Sequence, residues 1–380
     1  MTSQSTARPF IEQYTALNHA GLLPGGDQDW LRRLRDQGLA QFRALGFPGQ
    51  NVESWKYTNL RGLEREVFHP ATQSTATVGV DTVPSLLAGE AGHRAVFVNG
   101  WFRPELSNLG ALPDGAELRS LQQELAIDPD FLRRHLGGCV PADAEQPFLA
   151  LNTALMTDGL VLRVRAGVRV DKPIEAVFLT APGGESLACH PRTLIVLEDN
   201  SEATLVEYHA GLGGGTALAN IASEVTVGAG ARLHHYKFQD APEGQYHVHT
   251  LHGRLDRDAL YDGFGLTIGG RLSRNELHLK LDGAGGDARL NGAYLQRGRQ
   301  HCDNTTLIEH AVPDTTCREI FKGVVDGKAK AVFQGKLHVY PDAQRTDGHQ
   351  LSRGLLLSDE SEIDAKPELE IYADDVKCSH

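Results

Sequence analysis

The residues with the clearest potential for chemistry are the last three of the chain, Cys378, Ser379 and His380. A strand-like run from Leu369 to Tyr372 precedes them, and in extended backbone Cys378 and His380 project to the same side. A thiolate and a neutral imidazole are soft or borderline metal ligands. Two ligands are too few for a self-contained site. From spacing alone, an incidental cysteine at a frayed terminus is therefore the simpler interpretation.

A second group with this potential is a run of histidines, His247, His249 and His252. The first two would share one face of a strand, and they could bind a metal. We favour an exposed strand face or a partner-facing edge as the interpretation. His234 and His235 are adjacent, so they point to opposite faces and cannot act as a pair.

Four carboxylates could serve a glycan-cleaving enzyme: Glu198, Asp199, Glu202 and Glu207. Turn positions and solvent-facing strand positions explain them as well, and we favour that interpretation. Cys302, which follows His301, could approach Cys317 on an adjacent coil of chain. A buried cysteine that behaves as a small hydrophobic residue is the better prediction for both thiols.

The missing motifs limit the function further. The sequence contains no Gly-x-x-x-x-Gly-Lys-Ser/Thr, His-Glu-x-x-His or Gly-x-Ser-x-Gly, so we do not expect it to hydrolyse ATP itself. Gly263-Phe-Gly265 lies inside a strand-like run and opens no helix. The glycine clusters at 211–215 and 283–286 predict loop tips.

Composition narrows the class of protein. The 380 residues carry a formal net charge of -12, which argues against a nucleic-acid partner held by bulk electrostatics. The five cysteines include no Cys-x-x-Cys pair, which is typical of a reducing compartment. The sequence has no apolar signal core and no run of about 20 apolar residues. We therefore predict a soluble, cytoplasmic protein that does not contact a membrane.

Residues 1–70 are predicted to be helical. One apolar stripe at spacings of three and four consists of Leu31, Leu34, Gly38, Phe42 and Leu45. Asp29 could cap this helix, and Gly46-Phe-Pro48 ends it. Residues 71–158 are predicted to be a mixed α/β and linker region, with a loose stretch over residues 70–90 and a helical stretch over residues 117–136.

Residues 159–380 show short strands separated by turn signals, and pairs of strands recur at roughly 20–25 residues. A sandwich or barrel and a β-solenoid both fit this pattern. About 220 consecutive residues of strands and turns exceed one ordinary sandwich. The favoured fold class is therefore mainly β, with a parallel β-helix preceded by the helical region.

Several runs resemble the SufB/SufD family, the scaffold proteins of the SUF iron–sulfur cluster assembly system. Residues 340–348, 355–360 and 362–380 resemble the core of that family. Glu53-Ser-Trp-Lys-Tyr-Thr58 resembles the N-terminal signature of its SufD branch. The resemblance extends from about residue 50 to the end of the chain.

The resemblance implies a right-handed parallel β-helix, a heterodimer with SufB and attachment of the ATPase SufC. It implies that a nascent iron–sulfur cluster is built at the SufB–SufD interface and is held there transiently. The Cys and His placed at that interface map to Cys378 and His380, which are also the candidate metal ligands. A site divided between two chains needs only one or two ligands from each.

Three further expectations accompany this resemblance. FAD could bind the complex, and the chain could form a homodimer when it is alone. Family members continue past this His into a further strand and a helical segment that docks SufC, whereas this sequence stops at His380. We therefore expect this chain not to bind SufC tightly. The alternatives are a cytoplasmic structural β-solenoid without metal chemistry and a carbohydrate-active β-helix enzyme.

Overall fold

The computed structural model describes residues 3–73, 78–87 and 92–380. Part of the predicted loose stretch, residues 74–77 and 88–90, lies outside the described residues. Helices α1 to α5 span Ser3–His19, Asp29–Leu45, Leu121–Ile127, Pro129–His135 and Pro147–Leu155. Strands β1 to β7 span His69–Pro70, His93–Val98, Trp101–Phe102, Ala116–Ser120, Leu160–Val164, Ile174–Thr180 and Leu187–Cys189.

The later strands are longer and form the body of the molecule. Strands β8 to β14 span Arg192–Leu197, Glu202–Gly211, Ala217–Val227, Arg232–Ala241, Gln245–Leu255, Leu260–Gly269 and Leu272–Leu281. Strands β15 to β21 span Asp287–Gln296, His301–His310, Thr316–Val325, Lys330–Val339, Thr346–Leu356, Glu362–Ile371 and Val376–Ser379.

From β8 onward, consecutive strands alternate between two sheets, and each pairs in parallel with the strand two positions along the chain. Sheet A has the order β20-β18-β16-β14-β12-β10-β8-β5-β4, and sheet B has the order β21-β19-β17-β15-β13-β11-β9-β6-β2-β3. The chain therefore winds as a β-solenoid of about eight turns. This confirms the predicted parallel β-helix and the helical region before it.

The number of residues in each coil of the solenoid is larger than the sequence predicted. Asn275 and Asn304 are register partners 29 residues apart, and Lys330 and Glu362 are partners 32 residues apart. The expected 20–25 residues were too few because most strands of the solenoid reach 10 residues. Two such strands and two turns make up each coil.

The two sheets differ in how their outer faces are covered. Strands β8 and β10 of sheet A are buried at almost every position because helices lie on their outer side. Strand β11 of sheet B alternates between buried and partly exposed residues, so its outer face is wet. Helix α5 is buried at every position except Thr153 and contacts both α2 and β10.

The N-terminal helix pattern is confirmed, with one correction at its start. Helix α2 carries the predicted apolar stripe, and the backbone N–H of Gly46 donates to the Phe42 carbonyl at its end. Asp29 is not the cap. Gln28 occupies the N-cap position, and Asp29 is the first helical residue, where its carboxylate pairs with Arg32 one turn later.

The helix predicted over residues 117–136 was only partly right. Ala116–Ser120 is a strand that pairs antiparallel with β5. Ser120 then begins α3 in a capping box with Gln123, and the Asp128 side chain begins α4. These two caps divide what the sequence pattern suggested as one helix.

Candidate functional site

Cys378 ends a column of inward-facing side chains that runs along sheet B. Its members are register partners on successive strands: Ala203, Leu233, Tyr261, Ala288, Cys317, Gly348 and Cys378. The first six are buried, and Cys378 is half-buried. The Cys378 thiol therefore continues a column of side chains that face the solenoid interior.

His380 follows β21 directly and is exposed. Cys378 lies within that strand, and partial burial raises the pKa of its thiol. The Ser379 hydroxyl is hydrogen-bonded to His349 on the neighbouring strand β19. The structure thus places the two predicted site residues next to each other, at the end of a strand held by sheet pairing. The frayed terminus considered from sequence is not observed.

The carboxyl group of Glu319 lies in the inward-facing column of side chains next to the column that contains Cys317 and Cys378. Glu319 is fully buried on β17, and Gln350 on β19 donates a hydrogen bond of 2.7 Å to Glu319 Oε2. Burial raises the pKa of Glu319 to about 7. The solenoid interior near Cys317 therefore contains a carboxyl group whose pKa lies close to neutral pH, and the sequence analysis missed it. Its signal was the spacing of two residues from Cys317, which fixes the same face of the strand.

Strands β20 and β21 are the last strands of sheets A and B among the described residues, and each pairs there with one neighbour. Side chains of β20 are partly or fully exposed throughout. Large exposed apolar residues near these strands are Leu355, Leu356, Leu357, Ile371 and Tyr372. A group of exposed apolar side chains is typical of an interaction surface.

The predicted exposure of the histidine cluster was wrong. His247 and His249 are buried inside the solenoid, where the ring of His209 lies 5.2 Å from that of His247. The His249 Nε2 atom lies 2.9 Å from the Ser223 hydroxyl. Burial holds the pKa of both inward-facing rings well below the ordinary value. They are neutral interior groups, whereas His252 stacks on His278 at the opposite face of the strand.

The interpretation of Glu207 as a solvent-facing carboxylate was also wrong. Glu207 is fully buried, and His209 and His235 lie 2.7 and 3.2 Å from its two oxygen atoms. These histidines hold the pKa of Glu207 well below its ordinary value. Glu198 and Asp199 lie in an exterior turn, as predicted. The four carboxylates therefore do not line one groove, which removes the feature that suggested a glycan-cleaving enzyme.

Lys237 completes this interior polar cluster. Its ammonium donates a hydrogen bond of 2.9 Å to Asn275, and burial lowers its pKa to about 7. The sequence carried a signal for the cluster, because polar residues repeat at spacings of two in β9, β11 and β12. We interpreted these polar residues as solvent-facing, whereas they face the interior. A solenoid can bury polar side chains when partners on adjacent coils satisfy them.

The Glu53–Thr58 segment fastens the N-terminal region to sheet A. Trp55 is buried and stacks on Phe148, and the Arg274 guanidinium lies 3.8 Å from the Trp55 ring centroid. Arg274 also pairs with Asp303 and donates to the Ser54 carbonyl. Trp55 therefore packs between helix α5 and strand β14 of the solenoid.

The two remaining cysteine predictions are confirmed. Cys302 and Cys317 are fully buried, and they lie on different sheets. Among the described residues, no group of three or more His, Cys, Asp or Glu side chains has an arrangement that could hold a metal ion. None of the described helices is both long enough and apolar enough to cross a membrane.

These features define the class of protein as a parallel β-solenoid whose candidate site, Cys378 and His380, lies on and directly after strand β21. Comparison with known families agrees with the resemblance found in the sequence. The model described as SUF system FeS cluster assembly, SufBD core domain, matches residues 178–380, and the SufBD protein N-terminal region matches residues 5–176. The chain belongs to the SufBD family of the SUF system.

Several curated relatives are similar over most of their length. An iron–sulfur cluster assembly SufBD family protein of Synechocystis is 30% identical over 97% of this chain and 83% of its own. The iron–sulfur cluster assembly protein SufD of Escherichia coli is 31% identical over 90% of this chain and 78% of its own. SufD of Bacillus subtilis is 28% identical over 92% of this chain and 81% of its own.

Proposed function

We propose that this chain is a non-catalytic scaffold subunit that pairs with SufB and helps to build a nascent iron–sulfur cluster at the shared interface. The observation that carries the proposal is the position of Cys378, half-buried on strand β21 and next to the exposed His380. A partner that contacts this part of the solenoid would add its own ligands beside Cys378 and His380. Membership of the SufBD family supports this assignment.

The chemistry of the two side chains suits a cluster in assembly. A thiolate binds iron and sulfide-bridged iron well, and a neutral imidazole can occupy a further position. Both groups must lose a proton before they bind, so the site should lose its cargo as pH falls. The cluster is cargo in this proposal, and SufB supplies the remaining ligands.

The proposal extends to the rest of the complex. SufC supplies ATP hydrolysis, since the sequence contains no phosphate-binding loop. A cytoplasmic location follows from the same assignment. FAD binding by the complex stays a prediction, and the flavin absorbance of the purified complex tests it.

A substitution at the interface tests the proposal directly. The chain is co-expressed with SufB and SufC, and iron and acid-labile sulfide are measured per purified complex. We expect His380→Ala and Cys378→Ser each to lower cluster content at least several-fold, because each removes a ligand while the solenoid stays intact.

The control is His19→Ala, which removes an exposed histidine at the end of α1. It should leave cluster content unchanged. Recovery of SufB with the chain must be equal for every variant, which separates loss of a ligand from loss of pairing. Normal cluster content in both site variants would refute the roles assigned to Cys378 and His380.

A further inference from the structure

A small cavity lies inside the solenoid, between the two sheets and beside Lys237. Its volume is about 40 Å³, and its wall includes Lys237 and Gly265. These two residues are register partners on strands β11 and β13, in one inward-facing column. Gly265 has no side chain, and a Cβ added to it would meet no atom within 4 Å. The glycine therefore leaves open space in the interior next to the lysine.

Lys237 brings a cationic group to this cavity. The residue is 9% exposed, and its ammonium donates a hydrogen bond of 2.9 Å to Asn275 Oδ1, which is its one hydrogen bond among the described residues. An ammonium has three hydrogen atoms, so two of them remain available to a ligand. In the described part of the chain, no carboxylate oxygen lies within 4 Å of Lys237 Nζ.

The carboxylate on the adjacent strand of this column is engaged by other groups. Glu207 is the register partner of Lys237 on β9. His209 and His235 lie 2.7 and 3.2 Å from the oxygen atoms of Glu207. A buried ammonium without a counterion in contact with it is destabilising. A ligand with negative charge beside Lys237 would offset that cost.

The rest of the wall selects the kind of ligand. It contains the uncharged polar side chains of Gln239, Thr267, Asn275 and Asn304, and no Asp or Glu side chain belongs to its described part. The wall therefore offers no carboxylate ligand for a cation. One water molecule takes about 30 Å³ of liquid volume, so a cavity of about 40 Å³ fits a monatomic ion and excludes larger organic molecules.

We propose that this cavity binds one small monovalent anion of the chloride or bromide type, held by the ammonium of Lys237. The two available hydrogen atoms of the ammonium donate to the anion, while the third stays on Asn275. The site belongs to this chain alone. It lies four strands along sheet B from β21, so it is independent of the role proposed for Cys378.

The test compares the thermal unfolding of the whole chain at pH 6 in sodium chloride and in sodium gluconate of equal concentration. At this pH the amine is largely protonated, because burial lowers the pKa of Lys237 to about 7. Gluconate carries the same charge as chloride but is too large for the cavity. We expect the Tm in chloride to exceed the Tm in gluconate by at least about 2 °C.

Two variants change the site in different ways. Lys237→Met removes the charge, and Gly265→Val fills the cavity while the lysine remains. Each should abolish the difference in Tm between the two anions. Gly265 has no left-handed φ, so valine is compatible with its strand backbone. Lys322→Met is the matched control, because it changes an exposed lysine of sheet B, and it should keep the full difference.

Anomalous scattering from crystals of the chain grown in sodium bromide gives a measurement that needs no variant. A bromide peak beside Lys237 Nζ is expected, and bromide found only at the protein surface would overturn the proposal. Equal Tm values of the unchanged chain in chloride and gluconate would also overturn it. So would a full chloride effect in both Lys237→Met and Gly265→Val, since the anion would then act at another place.

Discussion

At the scale of single residues, the interior of this solenoid is unusual in its polar content. Glu207, His209 and Lys237 are buried together, and each has a hydrogen-bonding partner on its own strand or an adjacent coil. Buried polar groups of this kind stabilise one register of the strands over its alternatives, because a slip would leave them unpaired. The polar column therefore contributes to the specificity of coil stacking.

Glu319 gives a pH-dependent prediction at this scale. Its pKa in the folded chain is about 7, raised by burial from an ordinary 4.5. The folded state thus holds a proton that the unfolded state releases between pH 4.5 and 7, so this group's contribution to stability falls as pH rises through that window. Glu319→Gln removes the effect. Relative to the unchanged chain, the variant should gain up to roughly 3 kcal/mol between pH 5 and pH 8.

Urea unfolding at both pH values measures this gain. Glu309→Gln is a suitable control, because Glu309 lies on the partly exposed side of β16. It should show little change in relative stability between the two pH values. An equal stability difference for Glu319→Gln at pH 5 and pH 8 would contradict an uncharged Glu319 in the folded chain.

At the scale of elements, the Glu53–Thr58 segment connects the helical region to the solenoid. Thr58 is hydrogen-bonded to Asp303, and Ser54 accepts hydrogen bonds from Arg274 and from Gln334, two coils further along sheet A. The segment therefore ties three coils of sheet A to one short stretch of chain. Trp55 of this segment is buried.

Removal of that aromatic ring should loosen the attachment. Trp55→Ala is expected to lower the free energy of unfolding by about 3–5 kcal/mol, because it leaves a cavity against Phe148 and removes the ring beneath Arg274. Tyr57→Ala, a change of a half-buried ring in the same segment, should cost clearly less. Denaturant unfolding of both variants measures the difference, and equal losses would argue against this role of Trp55.

At the scale of the whole molecule, strands β2 and β3 form an antiparallel pair at one end of sheet B. Strands β19 and β21 lie at the other end of the described part of this sheet. Leu355 and Leu357 are 57% and 58% exposed near this end. If the proposed pairing uses this surface, charges placed there should oppose it.

The change Leu355→Lys with Leu357→Lys is therefore expected to reduce co-purification with SufB at least several-fold. It should change the stability of the chain itself by little, because both side chains are exposed. Ile127→Lys is the control, since Ile127 is 62% exposed in α3, far along the chain from this end. Unchanged recovery of SufB with the double variant would place the interface elsewhere.

The amino-acid sequence alone was enough to predict the architecture of the protein and the family to which it belongs. Short strands with turn signals at regular spacing predicted the β-helix, and residues 362–380 carried the resemblance to the SufB/SufD core. Cys378 and His380 were proposed as site residues through that resemblance, because their types and spacing alone favoured an incidental cysteine. Local patterns determine these features, because strand alternation and motif identity need only neighbouring residues.

Only the tertiary structure decided which side chains meet. Alternation gives two faces but does not say which is inward, so His247, His249 and Glu207 were assigned to the wrong face. The approach of Cys317 to Cys378 depends on the register between strands two coils apart, which in turn depends on the length of each coil. Contacts of this range follow from the stacking of whole coils, and the residues that make them are far apart in the chain.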